Sequence, residues 1–126
     1  MTQIFISVAA EDRELRDALI TQFEKNRVPI ALVDLPDKQQ LDSAWKTECR
    51  NKVKGCAGLI AIITENLRHS DGAKWEIQCA NEEGLPVLGI YETTNKNPIA
   101  PAVLAKAKNV PWSWHIVAEW LWQFFR

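Results

Sequence analysis

The five consecutive apolar residues Leu59-Ile60-Ala61-Ile62-Ile63 constrain the fold of this chain more than any other feature. A strand with one face in water alternates polar and apolar residues, whereas this run has no polar position. Such a run is typical of a central parallel strand whose two faces are both covered by helices. The run therefore predicts a layered α/β fold with this strand in its middle.

Strand-like and helix-like stretches alternate along the rest of the chain. The predicted strands are Ile4–Val8, Pro29–Val33, Leu59–Ile63, Pro86–Tyr91 and Asn109–Trp112. The predicted helices begin near Asp12, Asp42 or Ser43, Ser70 or Asp71, and Ser113, with a weak helix over Ala102–Ala107. Asp12 is expected to cap the first helix, and Gly84 to end the third. This order predicts one domain over residues 1–126, with a flavodoxin-like, doubly wound parallel sheet of five strands and helices on both faces.

Composition excludes several classes of function. The chain has 126 residues, with 15 Lys+Arg against 16 Asp+Glu, and a pI near 6.1. A near-neutral charge argues against nucleic acid as the partner. The sequence has no apolar run of about 20 residues, so no membrane span is expected. It has three well-separated cysteines and no visible export signal, which favours reduced thiols and a cytoplasmic location.

The topology predicts where a ligand would bind. In a flavodoxin-like sheet the crevice lies at the carboxyl ends of the first and third strands. The residues expected to meet there are Ser7, Val8, Ala9, Thr64, Glu65 and Asn66. The third helix begins beside this crevice and carries Trp75, Glu76 and Cys79 in its first turns. Its apolar stripe is expected to dock on the sheet, which leaves Glu76 at the border between that stripe and the crevice.

Glu76 is the candidate catalytic residue. A carboxylate withdrawn from water suits acid/base work or the stabilisation of a developing cation. The ordinary interpretation is a surface glutamate that complements the helix dipole. Cys79 shares its helix face, but the sequence places no base beside it, so packing is the expected role.

The remaining polar residues favour no metal site. His69 and His115 have no acidic or cysteine partners at ligand spacing, and Asp34, Asp37 and Asp42 fit a solvated turn. The second helix carries basic residues that could steer an anionic dinucleotide toward the crevice. The last helix is apolar around most of its circumference, with Trp120 and Trp122 off its main apolar face. Such a helix either packs internally or forms an assembly surface.

Several short motifs together resemble the Toll/interleukin-receptor (TIR) domain family. They are Ile4-Phe5-Ile6-Ser7 followed by Glu11-Asp12, Lys74-Trp75-Glu76-Ile77-Gln78-Cys79-Ala80, and Gly84-Leu85-Pro86-Val87-Leu88-Gly89-Ile90. The ending Val110-Pro111-Trp112-Ser113-Trp114 resembles the bacterial TIR-like branch that includes the Thoeris antiphage sensor proteins.

The resemblance implies an activity. TIR enzymes cleave the nicotinamide–ribose bond of NAD⁺ as a substrate, and some cyclise the ADP-ribose product into a signal that a downstream effector reads. Their essential glutamate lies in the third helix, where Glu76 matches it. Many carry Trp four residues earlier, but this chain has Gly72 there, so Trp45 or Trp75 would have to contact the nicotinamide. Self-assembly into dimers or filaments completes the pocket in that family.

Two other functions stay open, and a third is set aside. Nucleoside deoxyribosyltransferase-like enzymes also place a glutamate in a Glu-Ile-x-x-Ala helix before Gly-x-Pro-Val, and they also break an N-glycosidic bond. A non-catalytic TIR-like module would act through assembly alone. A phospho-receiver domain needs Asp at the end of the third strand, where this chain has Thr64-Glu65.

Overall fold

The computed structural model describes residues 1–35, 41–92 and 98–125. In these residues five strands alternate with four α-helices and four short 3₁₀ turns. The strands are β1 Thr2–Ser7, β2 Ile30–Val33, β3 Gly58–Ile63, β4 Val87–Tyr91 and β5 Lys108–Pro111. The helices are α1 Arg13–Lys25, α2 Ser43–Lys54, α3 Asp71–Glu82 and α4 Trp114–Leu121.

All strand pairs are parallel, and the sheet order is β2-β1-β3-β4-β5. This is the flavodoxin-like order that the sequence predicts. Every residue of β3 is buried, which confirms the predicted central strand. Strand β1 begins two residues earlier than predicted because Thr2 pairs with Ile30 of β2, and Val8 lies beyond its end.

Helices cover both faces of the sheet and give the chain two apolar layers. One layer joins side chains such as Phe5 and Leu59 of the sheet to α2 and α3. The other joins Ile4 and Ile60 to α1 and α4. Neighbouring residues of one strand thus enter opposite layers, because successive side chains of a strand point to opposite faces of the sheet. The buried apolar runs are therefore the physical origin of the doubly wound arrangement.

Two helices are followed by a residue in the left-handed backbone conformation. Gly84 ends α3 with φ +71°, and the Leu85 amide donates to Ala80 O, as expected for a Schellman cap. Arg27 occupies the same position after α1 with φ +53°, and the Val28 amide donates to Phe23 O. The Gly84 cap was predicted from sequence; the strained arginine was not.

The weak helix predicted over Ala102–Ala107 is wrong, since only a 3₁₀ turn forms, at Ala102–Leu104. The Asn109 side chain donates to Leu104 O at 2.9 Å and so satisfies a carbonyl at the end of that turn. The last helix also changes to a 3₁₀ turn, at Trp122–Phe124. Within the described ranges, no helix combines the length and apolar character needed to span a membrane.

Trp120 lies off the main apolar face of the last helix, yet it is partly buried. It packs edge-on against Phe124, with ring centroids 5.1 Å apart, and both rings lie over Gly58. A side chain at position 58 would collide with them, because a Cβ there would lie 2.9 Å from Phe124. Gly58 thus makes room for the two rings, whereas Trp122 is 69% exposed, as its position on the helix predicts.

Candidate functional site

The sheet order brings the carboxyl ends of β1 and β3 together. Residues Ile4–Ser7 pair with Gly58–Ala61, while β2 lies on the far side of β1 and β4 on the far side of β3. The strand order therefore reverses between β1 and β3. In open α/β sheets this is the point where ligands bind.

Ser7 and Glu76 meet at this point, and both are fully buried. The Ser7 hydroxyl lies 2.8 Å from Glu76 Oε1 and 3.1 Å from Ala73 O. A hydroxyl has one proton, so these two oxygens share one donor. The contact fixes one carboxylate oxygen of α3 against the last residue of β1.

Glu76 is more enclosed than the border position that the sequence predicts. Small residues in the first turn of α3 explain the difference. Gly72 and Ala73 are both buried there, which lets the helix approach the sheet closely. Ser70 fixes the start of the helix, since its hydroxyl accepts a hydrogen bond from the Ala73 amide at 3.2 Å.

A second polar cluster joins the segments that follow β1 and β3. Asp12 accepts hydrogen bonds from the Thr64 hydroxyl and, at 3.0 Å, from the Asn66 amide nitrogen. The Leu67 amide donates to the Thr64 hydroxyl oxygen at 3.2 Å. Asp12 is 8% exposed, so these bonds lie largely out of water. The cluster ties the start of α1 to the loop after β3.

The predicted capping role of Asp12 is wrong. Asp12 occupies the residue before α1, but its side chain makes no cap hydrogen bond. Its carboxylate serves the loop after β3 instead. Sequence reasoning therefore missed Asp12 as a crevice residue, because the signal that it carries, an acid at a helix start, is also the signal of a cap.

The other residues predicted at the crevice have defined places. Val8 and Ala9 are buried directly after β1, and Ala9 O accepts from the Asp12 amide at 2.9 Å. Glu65 is exposed. The structure thus brings Ser7 to Glu76, and Thr64 and Asn66 to Asp12. Their roles in substrate binding stay predictions.

Of the two tryptophans predicted to contact nicotinamide, Trp45 belongs to α2 and Trp75 faces α2. Trp75 is covered by Lys46, whose Nζ is 4.7 Å from the ring centroid, and by Arg50 at 5.7 Å. Trp45 is 8% exposed and packs in the apolar layer between α2 and the sheet. Trp75 therefore contacts α2, whereas Glu76, the next residue, contacts Ser7 of β1.

The cysteines suit packing rather than nucleophilic chemistry. Cys49, Cys56 and Cys79 are buried and form no disulfide. Burial raises the pKa of the Cys79 thiol, and it raises that of Cys56 to about 11. A thiol that stays protonated at neutral pH is a weak nucleophile.

The described ranges contain no group of three or more His, Cys, Asp or Glu residues placed to hold a metal ion. His69 is largely exposed, 3.5 Å from a Glu65 oxygen, as a solvated loop histidine would be. Asp37, part of the predicted acidic turn, lies outside the described residues.

No family model and no curated protein sequence matches the chain. Among solved structures, the chain is similar to the glutaminase domain of CTPS from Trypanosoma brucei with bound acivicin (TM-score 0.52, 20% identity). That match covers 71% of this chain and 36% of the other, so this chain spans about a third of that structure. A de novo designed Rossmann 2x3 protein is also similar (TM-score 0.52, 14% identity), with 98% and 88% of the two chains covered. These similarities show a Rossmann-like α/β fold.

Proposed function

We propose that this protein is a TIR-like enzyme that cleaves the nicotinamide–ribose bond of NAD⁺, with Glu76 as its catalytic residue. The product is ADP-ribose or a cyclic form of it, made as a signal in bacterial antiphage defence. One observation carries the proposal. Glu76 is fully buried at the strand-order reversal, where the Ser7 hydroxyl holds one of its oxygens.

The chemistry of this bond suits a single carboxylate. Cleavage leaves positive charge on the ribosyl carbon, and nicotinamide departs as a neutral molecule. An acid is therefore unnecessary, whereas an anion beside the ribose stabilises or attacks the cation, as in glycoside hydrolysis. This stabilisation of the cation is large where water is excluded, because charges interact more strongly in a medium of low dielectric constant.

Enclosure of the carboxylate also sets a requirement. NAD⁺ reaches Glu76 only if the start of α3 moves relative to the segments after β1 and β3. The Ser7 hydroxyl at the end of β1 contacts Ala73 O and Glu76 Oε1 of α3, so these contacts oppose such an opening. We propose that self-association of the protein favours the open arrangement, which makes activity depend on protein concentration.

The test is nicotinamide release from NAD⁺, measured by chromatography over a wide range of protein concentrations. Glu76→Gln should abolish release, because it removes the negative charge but keeps an oxygen that accepts from Ser7. Glu48→Gln, on the exposed side of α2, is the matched control and should keep the activity. Thermal unfolding of both variants establishes that each is folded.

Three results would overturn the proposal. A folded Glu76→Gln protein with full activity removes Glu76 from the mechanism. Exchange of a free base into a deoxynucleoside, without nicotinamide release, indicates a deoxyribosyltransferase-like enzyme. Absence of turnover at every concentration, together with concentration-dependent oligomers, indicates a non-catalytic assembly module.

A further inference from the structure

A groove of about 750 Å³ lies on the side of α3 that faces away from the sheet. It runs between α3, the beginning of α2 and the segment 99–103. Its lining includes Lys46, Arg68, Lys74, Trp75, Ile99 and Val103. Its volume is in the range of small-molecule sites in proteins.

The groove is separate from the Glu76 crevice. Asp71, Lys74, Trp75 and Gln78 line it, and their spacing of three and four residues places them on one face of α3. Glu76 belongs to the opposite, buried face, which packs on the sheet and on Ser7. At 100° per residue, position 76 lies about 150° around the helix from the centre of the lining face. A ligand in this groove would therefore lie across the helix from Glu76.

Positive charge is concentrated at the groove. Three cations and one acid line it, in a chain whose net charge is −1. Lys74 lies 3.4 Å from Asp71, and exposed Arg68 lies 3.5 Å from Glu65. Lys46 contacts the Trp75 ring and has no carboxylate within 4.0 Å among the described residues. The side of the groove that carries these cations is thus complementary to an anion.

The other wall of the groove is apolar. Ile99 is 64% exposed, although large aliphatic side chains are usually buried, and Val103 continues the apolar surface. A ligand that fills the groove therefore needs an apolar part and a negatively charged part. A nucleoside phosphate has both, and its size suits the volume.

We propose that this groove binds a nucleoside phosphate, with the phosphates toward Lys46 and Lys74 and the base against the apolar wall. The site is independent of the proposed catalytic residue. A ligand bound here contacts the outer face of the helix whose inner face carries Glu76.

The experiment is a calorimetric titration of the whole protein with ADP at low salt. ADP should bind more tightly than adenosine alone or inorganic phosphate alone, because each of these fills only one part of the groove. The double variant Lys46→Gln/Lys74→Gln should weaken ADP binding at least tenfold. Lys52→Gln is the matched control, since this lysine lies on α2, is exposed and does not line the groove.

A second variant tests the opposite wall. Val103→Glu places a negative charge in the groove without replacing either lysine, and it should also weaken ADP binding at least tenfold. Circular dichroism identifies a variant that fails to fold. The Glu76→Gln protein should bind ADP as the parent does, which separates this proposal from the proposed catalysis.

Four outcomes would overturn the proposal. They are no ADP binding at millimolar concentration, equal affinity for ADP and phosphate, undiminished binding in the folded groove variants, and loss of binding in Glu76→Gln. The last would place the nucleotide in the Glu76 crevice.

Discussion

Substitution of Gly89 by alanine gives a sharp test of how β4 and β5 pack. A Cβ at position 89 would lie 2.1 Å from Asn109 Oδ1 and 2.9 Å from Ile63 Cδ1. Both distances are far inside van der Waals contact. The Asn109 side chain must therefore turn away, which breaks its 2.9 Å hydrogen bond to Leu104 O.

The size of the effect follows from three terms. The broken hydrogen bond costs about 1 kcal/mol, and the added methyl group in a packed layer costs about 1–3 kcal/mol. Replacement of glycine in a strand raises the free energy of unfolding by about 0.5–1 kcal/mol, because the unfolded chain with alanine has less conformational entropy to lose on folding. The free energy of unfolding should therefore fall by about 2 kcal/mol, which urea denaturation measures as a lower midpoint.

Two controls isolate the contact. Gly55→Ala should leave stability nearly unchanged, because among the described residues a Cβ there would meet nothing closer than Lys52 O at 3.5 Å and Asn51 O at 3.9 Å. In an Asn109→Ala background the cost of Gly89→Ala should drop by at least about 1 kcal/mol, since the atom in the way is gone. An equal cost in both backgrounds, or a Gly89→Ala protein as stable as its parent, would refute this reasoning.

Three further predictions concern a helix end, a buried hydrogen bond and a thiol. Arg27→Gly should raise the free energy of unfolding by about 1 kcal/mol, because glycine adopts φ +53° without strain; an unchanged or lower melting temperature would count against this. Ser7→Ala should lower stability by about 1.5–3 kcal/mol in urea denaturation, since it removes a buried hydrogen bond to Glu76, and the loss should shrink in a Glu76→Leu background. Because burial raises the pKa of Cys56 from 9.0 to about 11, the unfolded state loses its proton first as pH rises. Stability should therefore decline between pH 9 and pH 11, less steeply in Cys56→Ala, and identical pH profiles would contradict the assignment.

The sheet was predictable because its signals are local and repeat along the chain. The apolar run Leu59–Ile63 indicates a strand covered on both faces, and β3 is buried along its whole length. The spacing of Leu19 and Phe23 likewise indicates the buried face of α1. Periodicity carries this information because each buried side chain must reach one of only two apolar layers.

The candidate site was only partly predictable, because its contacts join distant parts of the chain. Asp12 and Thr64 are 52 residues apart, and nothing near Asp12 in the sequence distinguishes a cap from a partner for the loop after β3. The depth of Glu76 depends on how closely α3 approaches β1, which small residues at positions 72 and 73 allow. Such distances are set by packing, which a pattern of residue types does not contain.

Strand β5, at one of the two edges of the sheet, limits how copies of this protein can associate. Successive backbone nitrogens of a strand point to opposite sides, and the Trp112 amide donates inward to Tyr91 O. The nitrogen of Pro111 therefore points outward, and proline carries no hydrogen to donate. A strand from a second molecule would lack a bond there, as is typical of edges that resist extension. A filament of this protein that forms on the β5 side is therefore expected to associate through helices or loops rather than through strand pairing.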